Sequence, residues 1–135
     1  MKKKKITSLM LIIIVLILEI LPYGAVCNFM GDPETNTVIR YTYSYFDLTP
    51  YGYANFGPLL TAILSCIIAL LIILSFFLKH NLNKFITIIS VISILTSLMP
   101  ILFGLNYYSV IGFFITVILA IITCISFDFS KNTDK

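Results

Sequence analysis

The chain has 135 residues, 59% apolar and 11% charged, with a mean hydropathy of +1.03. Soluble domains are about 45–50% apolar and about 25% charged, so this composition excludes a water-soluble globule and a disordered chain and allows one domain at most. The net charge of +3 does not point to nucleic acid. The basic residues sit in short tracts beside apolar segments, where they set membrane topology, and no groove of interleaved aromatic and basic residues accompanies them.

Four apolar segments follow in chain order, at about 6–26, 58–78, 85–103 and 108–127. The first, at 1.5 Å per residue, covers roughly 31 Å, and a bilayer core is about 30 Å thick. Backbone polar groups in lipid must be satisfied within the segment, so each is expected as a helix. The expected fold class is an all-α membrane protein, a four-helix transmembrane bundle with one long outer loop that has room for a short β-hairpin.

Flanking charge gives the direction. Lys2, Lys3, Lys4 and Lys5 precede the first segment, Lys79 and Lys84 separate the second and third, and Lys131 and Lys135 follow the fourth. Four crossings place these eight on one side and Arg40 alone on the other. The positive-inside rule then puts both termini in the cytoplasm. Tyr23, Tyr51, Tyr53, Tyr107 and Tyr108 fall near the opposite boundary, as belt residues do. The first segment has the basic start and apolar run of a signal peptide. Its length, Glu19 near its end and the bulky Val26 before Cys27 favour an uncleaved anchor over a cleaved leader.

The outer connection, 27–57, is the one long loop. Within it Tyr41, Tyr43 and Tyr45 alternate with Arg40, Thr42 and Ser44, the period of a strand. Gly31-Asp32-Pro33-Glu34 is a turn signal, so a hairpin that pairs Cys27–Met30 with this run is expected. Arg40, Tyr41, Tyr43 and Tyr45 form a candidate outer contact surface for a partner or glycan, weighed against rings lying at the headgroup level as anchors. Pro58 suits the first turn of the second helix. Pro100 should kink or end the third. The tail from Ser130 to Lys135 reads as frayed.

Membrane helices associate through small and polar residues. The third helix carries Ser90, Ser93 and Ser97 on one stripe. The fourth carries Ser109, Gly112, Thr116, Ala120 and Thr123, and the second Thr61, Ala62, Ser65, Cys66 and Ala69. Packing is favoured over a water path, with the last three helices in closest contact. Glu19 is the candidate intramembrane site. It lies 14 positions from Lys5, roughly 21 Å into the bilayer. One reading makes it a proton or cation site, with Arg40, Asn106, Tyr107 or the stripe hydroxyls as partners; the other has it snorkel to the outer interface.

Paired carboxylates, metal-ligand spacing around His80, phosphate loops and nucleophile elbows do not occur. No cofactor, metal or enzymatic activity is expected. Cys27, Cys66 and Cys124 lie at three depths and read as small buried thiols. The expected partners are the lipid bilayer and either another membrane protein or a second copy of the chain.

Four spans with an acid in the first resemble the small multidrug-resistance transporters, which couple substrate to a first-helix glutamate. The match is Glu19 and the span count, while the long loop and the lack of Trp depart from that pattern. A large first outer loop also resembles claudins, without their Trp and paired Cys. The stretch from Tyr45 to Pro58, Tyr-Phe-Asp-Leu-Thr-Pro-Tyr-Gly-Tyr-Ala-Asn-Phe-Gly-Pro, is similar to the signature segment of small uncharacterised bacterial four-span proteins. That resemblance implies the architecture and a bacterial plasma membrane, and it carries no activity. Function therefore rests on two expectations: a non-enzymatic accessory or interaction protein of the envelope, or a small oligomeric transporter or channel using Glu19.

Overall fold

The computed structural model describes residues 2–31, 37–78 and 82–133, and for Lys2 and residues 129–133 the backbone alone. Asp32, Pro33 and Glu34 of the expected turn, Lys79 and His80 of the short connection, and Lys135 lie outside the described residues, as do the side chains of Lys2 and Lys131.

Four long helices form the body: α1 (Lys2–Ile20), α3 (Gly57–Phe77), α4 (Asn83–Leu98) and α5 (Val110–Thr133). Each packs on two neighbours in the cyclic order α1–α3–α4–α5, and α4 sits most closely on α5 and α3. Buried positions recur every three or four residues. They are Ser8, Ile12, Val15 and Glu19 on α1; Ser65, Ile68, Ile72 and Ser75 on α3; Ile86, Ser90, Ser93 and Ser97 on α4; and Ile115, Leu119, Ile122 and Ser126 on α5. Steps that alternate between three and four residues keep one seam on the bundle axis when helices pack at a shallow angle. The outward faces are also apolar, with Ile17, Leu70, Ile88, Leu95 and Phe113 all exposed. A helix apolar on every side is suited to lipid rather than water.

Three helices are long and apolar enough to cross a membrane: Gly57–Phe77, Asn83–Phe103 and Val110–Asp128. The first helix departs from the expected 6–26 span. It ends at Ile20, because Pro22 cannot supply the N–H that another turn needs. Its apolar stretch, residues 6–20, covers only about 22 Å. The chain turns at residues 21–24 and enters β1 (Ala25–Met30), which pairs antiparallel with β2 (Val38–Tyr43) in the register Ala25↔Tyr43 to Met30↔Val38. The expected hairpin is therefore present and begins two residues earlier. A short helix α2 (Leu48–Gly52) follows, capped by Asp47, whose side chain accepts from the Thr49 N–H.

Gly57 and Pro58 open α3 with proline in its first turn. Leu98 closes α4, and a tighter 3-10 turn over Met99–Phe103 carries Pro100, so proline ends the α-helix as expected. The tail expected to fray is instead helical as far as Thr133.

A Cβ placed on Gly57 would lie 2.6 Å from the Thr96 carbonyl oxygen and 3.0 Å from Met99 and Pro100. The opening of α3 thus touches the end of α4 backbone to backbone. Gly57→Ala is expected to destabilise the protein by about 1–3 kcal/mol, measured as a lower unfolding temperature in detergent. Gly52→Ala, where an added Cβ meets nothing within 4 Å, should leave that temperature unchanged. Equal behaviour of the two variants would contradict the close approach.

Candidate functional site: a buried glutamate beneath an anchored hairpin

Glu19 occupies the last turn of α1, one of the buried positions of its inward face. Its carboxyl turns inward and is completely buried. It does not snorkel, since Oε1 accepts a 2.7 Å hydrogen bond from Ser65 Oγ on α3. Oε2 is buried among the described residues without a partner. Arg40, the basic candidate for this carboxyl, lies exposed on β2 opposite Asn28.

The level of Glu19 follows from neighbouring pairs. Thr61 on α3 meets Thr96 on α4 at 3.0 Å, so Ser65, one turn along α3, lies level with Ser93. The Ser90 and Ser93 hydroxyls are, like Oε2, buried with no partner among the described residues. Nearer the hairpin the hydroxyls are joined. Thr116 Oγ1 donates to the Gly112 carbonyl at 2.8 Å. It can therefore accept from Ser97 Oγ and from Tyr108 Oη, both at 2.7 Å. The Tyr45 hydroxyl also hydrogen-bonds Ser97.

The bundle thus brings Glu19, Ser65, Ser93, Ser97 and Thr116 into one polar core, with Gly112 as the close-approach point. A Cβ on Gly112 would lie 2.9 Å from the Tyr45 hydroxyl. On α5 the expected small-residue stripe is offset by one position. Thr116 and Ala120 are half-buried at its flank, and Ile115 and Leu119 hold the axis. Side chains on both faces of this helix are apolar, so a stripe of small residues marks a helix contact without marking the core. Ser90, Ser93 and Ser97 are buried as expected.

The hairpin divides the expected contact surface. Arg40 and Tyr41 are exposed and Tyr43 is half-buried. Tyr45 is the correction: it is 1% exposed, because β2 stops at Tyr43 and the chain then turns. The Tyr45 N–H donates to the Glu19 carbonyl at 2.9 Å, and the ring passes close to Gly24 and Gly112. Ser109 Oγ donates to the Gly24 carbonyl and accepts from the Gly112 N–H at 2.8 Å. One carbonyl that α1 leaves open at its C-terminal end is thereby satisfied by the loop, and one carbonyl of the following turn by a side chain.

Cys27 is buried in β1, whereas Cys66 and Cys124 are exposed on the outward faces of α3 and α5. The buried-thiol reading therefore holds only for Cys27. Sequence reasoning missed Asn55, which is 4% exposed and donates from Nδ2 to the Val26 carbonyl at 3.4 Å. The available signal was a lone amide in an otherwise aromatic and glycine-rich stretch. No group of three or more His, Cys, Asp or Glu side chains placed to hold a metal occurs among the described residues.

Two outcomes test this geometry. Ser65→Ala and Glu19→Leu should be coupled by about 1 kcal/mol in a double-mutant cycle of unfolding in detergent, and strict additivity would contradict their hydrogen bond. Hydrogen bonds from Thr49 hold the Asp47 carboxyl below its ordinary value of 3.8. The α2 cap should therefore be fully formed above about pH 4 and be lost as pH falls through the lower folded value. Exchange protection of the Thr49 amide should fall over that interval in wild type and be low throughout in Asp47→Ala. Compared with models of known families, with curated proteins and with solved structures, the chain has no match.

Proposed function

We propose that the chain is an integral membrane protein of the bacterial plasma membrane that acts by contact, as a non-enzymatic accessory or interaction protein of the envelope. In this reading it crosses the bilayer four times with both termini in the cytoplasm. Lys3, Lys4 and Lys84 are exposed at one end of the bundle and Arg40 at the other, a distribution that supports this direction under the positive-inside rule.

The observation that carries the contact reading is the division of labour within the hairpin. Ala25, Val26 and Cys27 of β1 are buried, so its base is fixed to the helices. From Val38 to Thr42, β2 is exposed throughout. A two-stranded sheet is marginal alone; this one is held by its anchor and displays Val38, Ile39, Arg40 and Tyr41. An exposed, aromatic strand with one unpaired edge is the form in which sheets recruit other chains.

A second reading, an oligomeric transporter or channel using Glu19, draws on one observation: a fully buried carboxyl oxygen, at the last turn of α1, with no partner among the described residues. Ionisable groups at such depth commonly mark ion or proton pathways.

The two readings separate experimentally. A photo-reactive residue in place of Tyr41 should, in native membranes, cross-link to one discrete partner, and the same residue in place of the lipid-facing Ile17 should not. Full-length protein in liposomes should show no Glu19-dependent flux of protons, monovalent cations or cationic drugs. A flux abolished by Glu19→Gln, with no discrete cross-link at Tyr41, would replace the contact reading with the transport one.

A further inference from the structure

A nook of about 10 Å³ opens at the lysine end of the bundle, where all four long helices meet. Lys4, Lys5 and Ser8 of α1, Ser75 of α3, Asn83 of α4 and Ser126 of α5 line it. It is separate from both the hairpin and the Glu19 core. Each helix closes its axial isoleucines here with a buried polar residue. Ser8 lies one turn from Ile12, Ser75 from Ile72, Asn83 from Ile86 and Ser126 from Ile122. Helix packing alone does not require this polar layer, since isoleucine fills the next turn inward on every helix.

The hydroxyls of the layer differ in what they have left to offer. Ser75 Oγ donates to the Ile72 carbonyl at 2.7 Å, so its proton is used within α3. Asn83 has a partner of its own. Ser8 and Ser126 are 6% and 4% exposed, with no hydrogen-bond partner among the described residues, and the surface they keep opens on the nook. The surrounding field is positive. Lys5 donates to the Ser75 carbonyl near the C-terminal end of α3, a neutral partner that leaves the charge of the ammonium group uncompensated. Lys4 is exposed at the mouth, and the lining includes no acid. α4 starts here without a side-chain cap, and the positive end of its dipole adds to the field.

A hydroxyl can donate or accept, and the two lysines decide which, because they repel a cation and attract an anion. Two hydroxyl donors beneath two ammonium groups suit an oxyanion. The nook has room for about one water, so one oxygen of the anion enters it and the others stay at the mouth with Lys4 and Lys5. The level identifies the oxyanion. In the four-span reading, on which this inference rests, α3 ends at Phe77, just past Ser75, and the nook lies among the lipid phosphates. Basic pockets between helices at that level hold anionic headgroups in other membrane proteins.

We propose that this nook seats one oxygen of a phosphate group, supplied by an anionic phospholipid headgroup or by free phosphate. Calorimetric titration of the full-length protein in a nonionic detergent tests it. No bilayer is present in that measurement, so its outcome is independent of how many times the chain crosses one. The probes are short-chain phosphatidylglycerol, short-chain phosphatidylcholine, inorganic phosphate and acetate. Binding of phosphatidylglycerol without inorganic phosphate identifies the lipid source, and binding of inorganic phosphate without phosphatidylglycerol identifies the free one. Phosphatidylcholine, whose choline meets the lysines, and acetate should give no binding heat. The double variant Ser8→Ala with Ser126→Ala keeps every charge and should weaken binding about fivefold, the equivalent of about one net hydrogen bond. Lys4→Gln should weaken it by a similar factor, and Lys3→Gln, at an exposed charge outside the nook, should leave it unchanged. No binding of either phosphate probe, equal binding of the two lipids, acetate binding as tightly as phosphate, full binding in the serine variant, or equal losses in Lys3→Gln and Lys4→Gln would each overturn the proposal and leave the lysines as general surface charge.

Discussion

The structure turns on where α1 stops. Its helix ends at Ile20, while Ser65, the partner of Glu19, lies eight residues inside the start of α3 at Gly57. Eight residues are about 12 Å of helix. For that distance the bundle has three helices where it needs four sides. The gap is filled by non-helical chain, the base of β1 together with the Tyr45 ring. Irregular backbone is tolerated at depth only where its polar groups are satisfied by protein. Here the Glu19 carbonyl takes the Tyr45 N–H, the Gly24 carbonyl takes the Ser109 hydroxyl, and the Val26 carbonyl takes the Asn55 amide. The hairpin therefore sits in the bundle as a plug, and its exposed strand inherits a fixed position from that plug.

The same constraint explains the composition of the core. Bundles in water fill their axial positions with Leu and Ile to remove them from solvent. In lipid that gain disappears, and close approach with interhelical hydrogen bonds takes over. The axial positions divide accordingly. Along the middle of the bundle they are Ile12, Ile68, Ile72, Ile86 and Ile122, and at the lysine end Ser8, Ser75 and Ser126. Around Glu19 they are Ser65, Ser93, Ser97 and Gly112, whose small volume lets the Tyr45 ring and the Glu19 carboxyl enter. The Ser97–Thr116–Tyr108 bonds then satisfy three of the hydroxyls near the hairpin, while those of Ser90 and Ser93 have no partner among the described residues.

Much of the fold could be read from residues. Apolar length located three of the helices, Pro58 the start of α3 and Pro100 the end of α4, while α5 ran on past its expected end to Thr133; the alternation from Arg40 to Tyr43 located the second strand. What could not be read has one physical origin: in a chain apolar on every side, hydropathy does not separate one environment from another. The run from Ile6 to Val26 is uniformly apolar, so a buried helix and the buried start of a strand look alike within it. Cys66 and Cys124 face outward and Cys27 inward with nothing in their neighbours to distinguish them. Tyr45 continues the spacing of Tyr41 and Tyr43, yet the strand has ended and its ring enters the core. Of the candidate site, Glu19 and the serine stripe were legible because polar residues stand out in an apolar run. Asn55 and the pairing of Glu19 with Ser65 needed three dimensions.

The account depends on α1 crossing the bilayer although its apolar stretch is short, with the hairpin base supplying the rest of the thickness. The direct measurement is the side on which each terminus lies, read with cytoplasmic and periplasmic reporters fused to the two ends of the full-length chain and checked by protease digestion of intact cells. Both ends in the cytoplasm is the result this account predicts. A first residue outside with the last residue inside would mean three crossings and a first helix lying at the surface, and would contradict it.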